Sequence, residues 1–333
     1  MEFTFAPIYS LGLNSSEDKF DLTQLPLEIF RGLTIENIEN LLPQTAFDLW
    51  KSMLGETLSE KIGRVKYAFV YRYTGDEVGV AVKGSPTGFA ASCLRLIRPM
   101  RQSVLASAHG QITENGNLDV RRFELSERQS GIEVVEAHKL STLRNEDAEN
   151  LRILIPGFIR AMEGEFWKFR MAVQFHDLGY FQSYNWKPKF LLWASALESI
   201  FTSHNRDHQG SRVAIARINW FLGERTRIYQ PGDWPCVLPD CSLTLSDVLD
   251  DIYELRNFVA HGDKIPDSFF HTYPRRGING GVCKAEVLSE SVSFIIRASL
   301  IKILREGLLD HFTDAEPAES YFAAQGLVRS KLC

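Results

Sequence analysis

Ser246-Asp247-Val248-Leu249-Asp250-Asp251-Ile252-Tyr253-Glu254-Leu255-Arg256-Asn257-Phe258-Val259-Ala260-His261-Gly262 is the stretch on which both fold and function turn. Its ends are marked: Thr244 and Asp247 fit a capping box, and Gly262 stands where the chain takes a left-handed turn past a helix end. Between them, Leu245, Val248, Ile252, Leu255 and Val259 recur at helical spacing and define one apolar stripe. At about 100° per residue, Asn257 falls about 180° and His261 about 140° from the centre of that stripe, with Arg256 on its flank at about 80°. A helix is therefore expected over 243–261, its stripe inward and Tyr253, Asn257, Ala260 and His261 outward.

The surrounding sequence reads as more helix. Leu151 to Gln174 is interrupted only by Pro156 and Gly157, and Phe190, Trp193, Ala194, Leu197, Ile200 and Phe201 line one helical face. A further segment runs from Ser211 to Arg227, and Lys284 to Leu309 forms a long, mostly apolar helix. Four or five helices of this kind imply an all-α up-and-down helical bundle over 147–310, followed by a C-terminal tail over 311–333. The first third has a different texture. A helical start at Thr34-Ile35-Glu36-Asn37, a strand run from Val65 to Tyr73 and a second from Leu118 to Leu125 give an α+β domain over 1–140. It carries no glycine-rich loop after a strand, and its ligand or trigger is not written in the sequence.

A chain of 333 residues is long enough for two domains, each with its own core. The formal charge of -5 argues against a protein whose whole surface grips phosphate, so any nucleic-acid site must be local. Five scattered cysteines do not make a disulfide framework, and no basic-then-apolar leader follows Met1, which points to a reducing, cytoplasmic setting. The most apolar stretch, Val292 to Leu304, is broken by Arg297 and Lys302 and is too short to span a bilayer, so no membrane association is expected.

Leu255-Arg256-Asn257-Phe258-Val259-Ala260-His261-Gly262 resembles the Arg-polar-x-x-x-His signature of the HEPN superfamily of helical domains. Trp193-Ala194-Ser195-Ala196-Leu197-Glu198-Ser199-Ile200-Phe201 is similar to an early helix of its Apea-like branch. The resemblance covers 147–310 and nothing comparable covers 1–140. It implies a HEPN-like bundle and a metal-independent endoribonuclease that works as a homodimer without a cofactor, as an effector of stress or phage defence. Other members of the superfamily are non-catalytic modules that bind nucleotide, RNA or a protein partner, and that alternative stands beside the enzyme.

The residue types suit the chemistry. Cutting RNA without a metal needs a group that exchanges a proton near neutral pH; histidine as a residue type, with a free imidazole pKa of about 6.5, suits that role, and His261 is the candidate. The transition state gathers charge on the non-bridging phosphate oxygens, which a guanidinium such as Arg256 can hold through two parallel hydrogen bonds. Asn257 would orient the imidazole or the phosphate, while Tyr253 and Gly262 support the site. One helix supplies one histidine, and acid and base catalysis need two proton-handling groups, so a second copy of the chain is a natural source of the other. An Arg and a His in a last helical turn also complement the helix dipole, which is their plainest structural use.

Fainter signals flank this motif. Glu198 is placed to pair across the bundle with Arg256 as structural support. Arg212 and Arg217, with Arg275 and Arg276 beyond the motif helix, are candidate contacts to an RNA backbone, although a charge run more often marks a solvated helix face. His204 and His208 lie four apart without a third ligand, Cys236 and Cys241 lack a second pair, and His176-Asp177 lacks the partners a metal phosphohydrolase needs. No metal is expected.

Overall fold

A computed structural model describes residues 2–8, 25–41, 48, 67–73, 86–97, 106–112, 118–125, 145–180, 186–202, 210–228, 243–271 and 283–328. Contacts divide the chain into two compact units, 1–163 and 164–333.

The first unit is α+β. Its strands are β1 (Glu2–Ile8), β2 (Leu27–Phe30), β3 (Leu33–Asn37), β4 (Tyr67–Tyr73), β5 (Ala106–Ile112) and β6 (Leu118–Leu125). They form one sheet in the order β2-β3-β4-β1-β5-β6, every neighbouring pair antiparallel. Thr34 to Asn37 belongs to β3, not to a helix start as the sequence suggests; helix α1 covers Ile38–Leu41. The reason is long-range. Leu33 and Ile35 alternate into the core with no exposed surface, opposite Tyr71 and Phe69 of β4. Next to Ile35, Glu36 accepts a two-pronged hydrogen bond from Arg72 of the same neighbouring strand.

Helix α2 (Pro86–Ile97) packs on β1 and β4, and α3 (Asn145–Glu163) packs on α2 and β2. The sequence reading starts the helical domain near 147, whereas these contacts put α3 with the sheet and move the division to 163/164. Pro156 lies inside α3 without ending it, because Leu154, Ile155 and Phe158 around it are fully buried. The break falls instead at Gly164 to Phe166.

The second unit is helical: α4 (Trp167–Tyr180), α5 (Trp186–Phe201), α6 (Gly210–Leu222), α7 (Leu245–His261), α8 (Lys284–Arg305) and α9 (Ala315–Ala324), with 3-10 turns at Asp267–Phe269 and Leu309–Phe312. Helix α8 is its axis, burying Leu288, Val292, Ile295, Ile296 and Leu300 and touching α4, α5, α6 and α7. The region read as a tail contains α9, whose Ala318 and Phe322, four apart, are buried. Among the described residues, no helix is long and apolar enough to cross a membrane.

Close approach of α4 to α5 depends on Gly179. A Cβ there would overlap the indole Nε1 of Trp193, which is fully buried and donates to the His176 carbonyl at 3.0 Å. Gly179→Ala is expected to lower stability by about 3 kcal/mol through overpacking, read as a shift in the urea midpoint. An unchanged midpoint would show that the helices separate freely.

Candidate functional site

Helix α7 is capped at both ends and packed along one side. At its start the Asp247 carboxylate accepts from the Thr244 amide at 2.9 Å and from the Thr244 hydroxyl at 2.8 Å. At its finish Gly262, with φ 72°, takes the left-handed turn, and the Asp263 amide donates to the Phe258 carbonyl at 2.9 Å. Leu245, Val248, Ile252 and Leu255 are buried, while Val259, nearer the open end, is half-buried.

Because α5, α6 and α8 all touch α7, the buried arc is wider than the apolar stripe. It reaches round through Leu249 to Tyr253, about 160° at 100° per residue. Tyr253 therefore points inward, at 6% exposure, and not to the outer face as the sequence suggests. Its hydroxyl has no hydrogen-bond partner among the described residues, and burial pushes its pKa far above the usual phenol range. Asn257, Ala260, His261 and Gly262 are exposed.

Arg256 lies on the boundary between these faces. Its guanidinium meets Glu198 of α5 side-on, with Nε 3.0 Å from Oε1 and Nη2 3.1 Å from Oε2, and its Nη1 donates to Asn257 Oδ1 at 3.3 Å. The structure thus brings Glu198, Arg256 and Asn257 together. Both charged side chains keep partial solvent access, 31% for Arg256 and 27% for Glu198, so the pair orients the guanidinium more than it stabilises the fold. These bonds engage three of the five N–H donors of a guanidinium and leave two for another acceptor.

The expected RNA-contacting arginines do not form a set. Arg212 is exposed on α6, but Arg217 is 2% exposed and grips Glu319 of α9 through two bonds of 2.7 Å. With a further bond to the Phe201 carbonyl at 3.1 Å, it is a structural clamp and not a phosphate contact. The reason is periodic: Val213, Ala214, Arg217, Ile218 and Phe221 occupy one face of α6, and that face is the buried one. Arg275 and Arg276 lie outside the described residues, as do His204, His208, Cys236 and Cys241. Among the described residues, no three His, Cys, Asp or Glu side chains gather as a metal-binding group. His176 is a core residue, with Nε2 3.3 Å from the Ser293 hydroxyl and its ring against Tyr180 and Trp193.

One feature of this region has no trace in the sequence. Glu198 also lines a cavity of about 270 Å³, walled by side chains from α4, α5 and the start of α9. Beside it the buried Lys168 ammonium donates to the carbonyls of Ser199 at 2.9 Å and Thr202 at 2.8 Å, closing the C-terminal end of α5. Burial lowers its pKa to about 8, against partial support from Glu319 and Asp314.

The chain matches no protein-family model, no curated protein and no solved structure.

Proposed function

We propose that the second unit is a HEPN-like up-and-down bundle and a metal-independent endoribonuclease, with Arg256, Asn257 and His261 as its working residues. The observation that carries this reading is positional. Asn257 and His261 lie on the exposed face of α7 at its capped C-terminal end, with Arg256 at the edge of that face. His261 takes the proton of a ribose 2′-hydroxyl, and the 2′-oxygen attacks the adjacent phosphorus. The bond to the 5′-oxygen breaks, and the departing oxygen receives a proton from a second imidazole. A second copy of the chain, forming a homodimer around the exposed end of α7, supplies that group.

Arg256 steadies the charge on the phosphate oxygens with the two donors that Glu198 and Asn257 leave unused. Arg212 offers the RNA backbone a further cation from the exposed face of α6. The first unit senses a trigger or positions the substrate, and a cytoplasmic stress or phage-defence role follows from the superfamily resemblance. A second reading, a non-catalytic module that recognises RNA, nucleotide or protein, draws on one observation: Glu198 holds Arg256 through both carboxylate oxygens.

Purified protein is expected to cut a mixed-sequence RNA in the presence of EDTA, leaving 2′,3′-cyclic phosphate on the 5′ fragments, and to sediment as a dimer at micromolar concentration. Cleavage only with added magnesium, or equal cleavage of DNA, would overturn the mechanism. RNA binding without cleavage under the same conditions would favour the scaffold reading.

A further inference from the structure

The cavity beside Glu198 is walled by Trp167, Met171 and Phe175 of α4, Ser195 and Glu198 of α5, and Asp314 before α9. We propose that it binds a small organic cation, an ammonium or guanidinium on an apolar or aromatic body, and that this ligand and Arg256 compete for the Glu198 carboxylate. Two carboxylates, Glu198 and Asp314, face the space, against a single cation, Lys168. Lys168 donates to two neutral backbone carbonyls and keeps its charge, but the two carboxylates outnumber it, so the lining favours a cation over an anion.

The Trp167 side chain is 56% exposed, an unusual position for an indole, and its face offers a cation–π seat. Met171 and Phe175 supply the apolar wall for the ligand's body.

The competition follows from donor counting. A carboxylate offers about four lone-pair positions, and Arg256 occupies one on each Glu198 oxygen. A second cation on the same carboxylate weakens its hold on the first, and the coupling is reciprocal. Occupancy of the cavity would thus loosen Arg256 and turn its side edge toward phosphate. This regulatory consequence rests on the ribonuclease reading; binding in the cavity does not.

The test is calorimetric titration of the full chain with phenethylamine and with phenylacetate, two molecules of similar shape and opposite charge. Phenethylamine is expected to bind at least about tenfold more tightly than phenylacetate. Glu198→Gln should weaken it about tenfold or more, and Trp167→Ala about two- to fivefold. Arg256→Ala, which removes the competitor, should strengthen it about three- to tenfold, an outcome that loss of folding cannot imitate. No binding of phenethylamine at millimolar concentration, equal binding of phenylacetate, or an affinity unchanged by Glu198→Gln would overturn the proposal. If the amine binds with these signs while RNA stays intact, the cavity stands and the ribonuclease reading falls. If RNA is cut and the amine does not bind, the reverse holds.

Discussion

His261→Ala is expected to lower the rate of RNA cleavage by about 10²- to 10⁴-fold, the usual worth of a positioned proton-transfer group. The protein should remain folded. His261 is exposed, and the turn that ends α7 is made by the Gly262 and Asp263 backbone, which the substitution leaves intact. The histidine's own favourable interaction with the helix end is worth no more than about 1 kcal/mol at an exposed site. An equal loss of RNA affinity and of rate would assign His261 to binding alone. A selective loss of rate with affinity preserved assigns it to the chemistry, and the comparison needs only single-turnover rates beside a binding isotherm.

Arg217→Ala is expected to destabilise the second unit by about 3 kcal/mol, because it removes one partner of a largely buried ion pair and empties a fully packed site. The guanidinium also stacks 4.8 Å from the Phe322 ring and donates to the Leu327 carbonyl at 3.3 Å, so α9 loses its main polar attachment to α6. Glu319, 36% exposed, can turn to water and moderate the loss. Urea unfolding of wild type and variant measures it. An arginine that served only to hold RNA would leave stability unchanged and lower affinity instead, so the two roles give opposite results.

How much of this was legible in the sequence depends on whether the deciding contacts were local. Helix α7 was readable because its caps and its apolar stripe lie within the same nineteen residues, and the exposure of Asn257 and His261 follows from that periodicity. Tyr253 was misplaced because three neighbouring helices widen the buried arc beyond the stripe. Thr34 to Asn37 has the local look of a helix start, yet pairing with a strand thirty or more residues away decides its conformation.

Arg217 looks like any surface arginine until Glu319, about a hundred residues later, is placed beside it. The cavity draws its walls from residues between Trp167 and Ala315, and no motif spans that interval. The pairing of Glu198 with Arg256 lies between these cases, since the two helices were recognisable but their mutual approach belongs to the fold.

The central claim is that RNA is cut by attack of its own 2′-oxygen, with protein side chains handling the protons. An oligoribonucleotide with a mapped cleavage site, resynthesised with a single 2′-deoxyribose on the 5′ side of that bond, tests it most directly. The account predicts that cleavage at that bond stops while other sites in the same molecule are cut at their former rate. Cleavage continuing at the substituted position would show that another nucleophile does the work, and the roles given to His261 and Arg256 would be wrong.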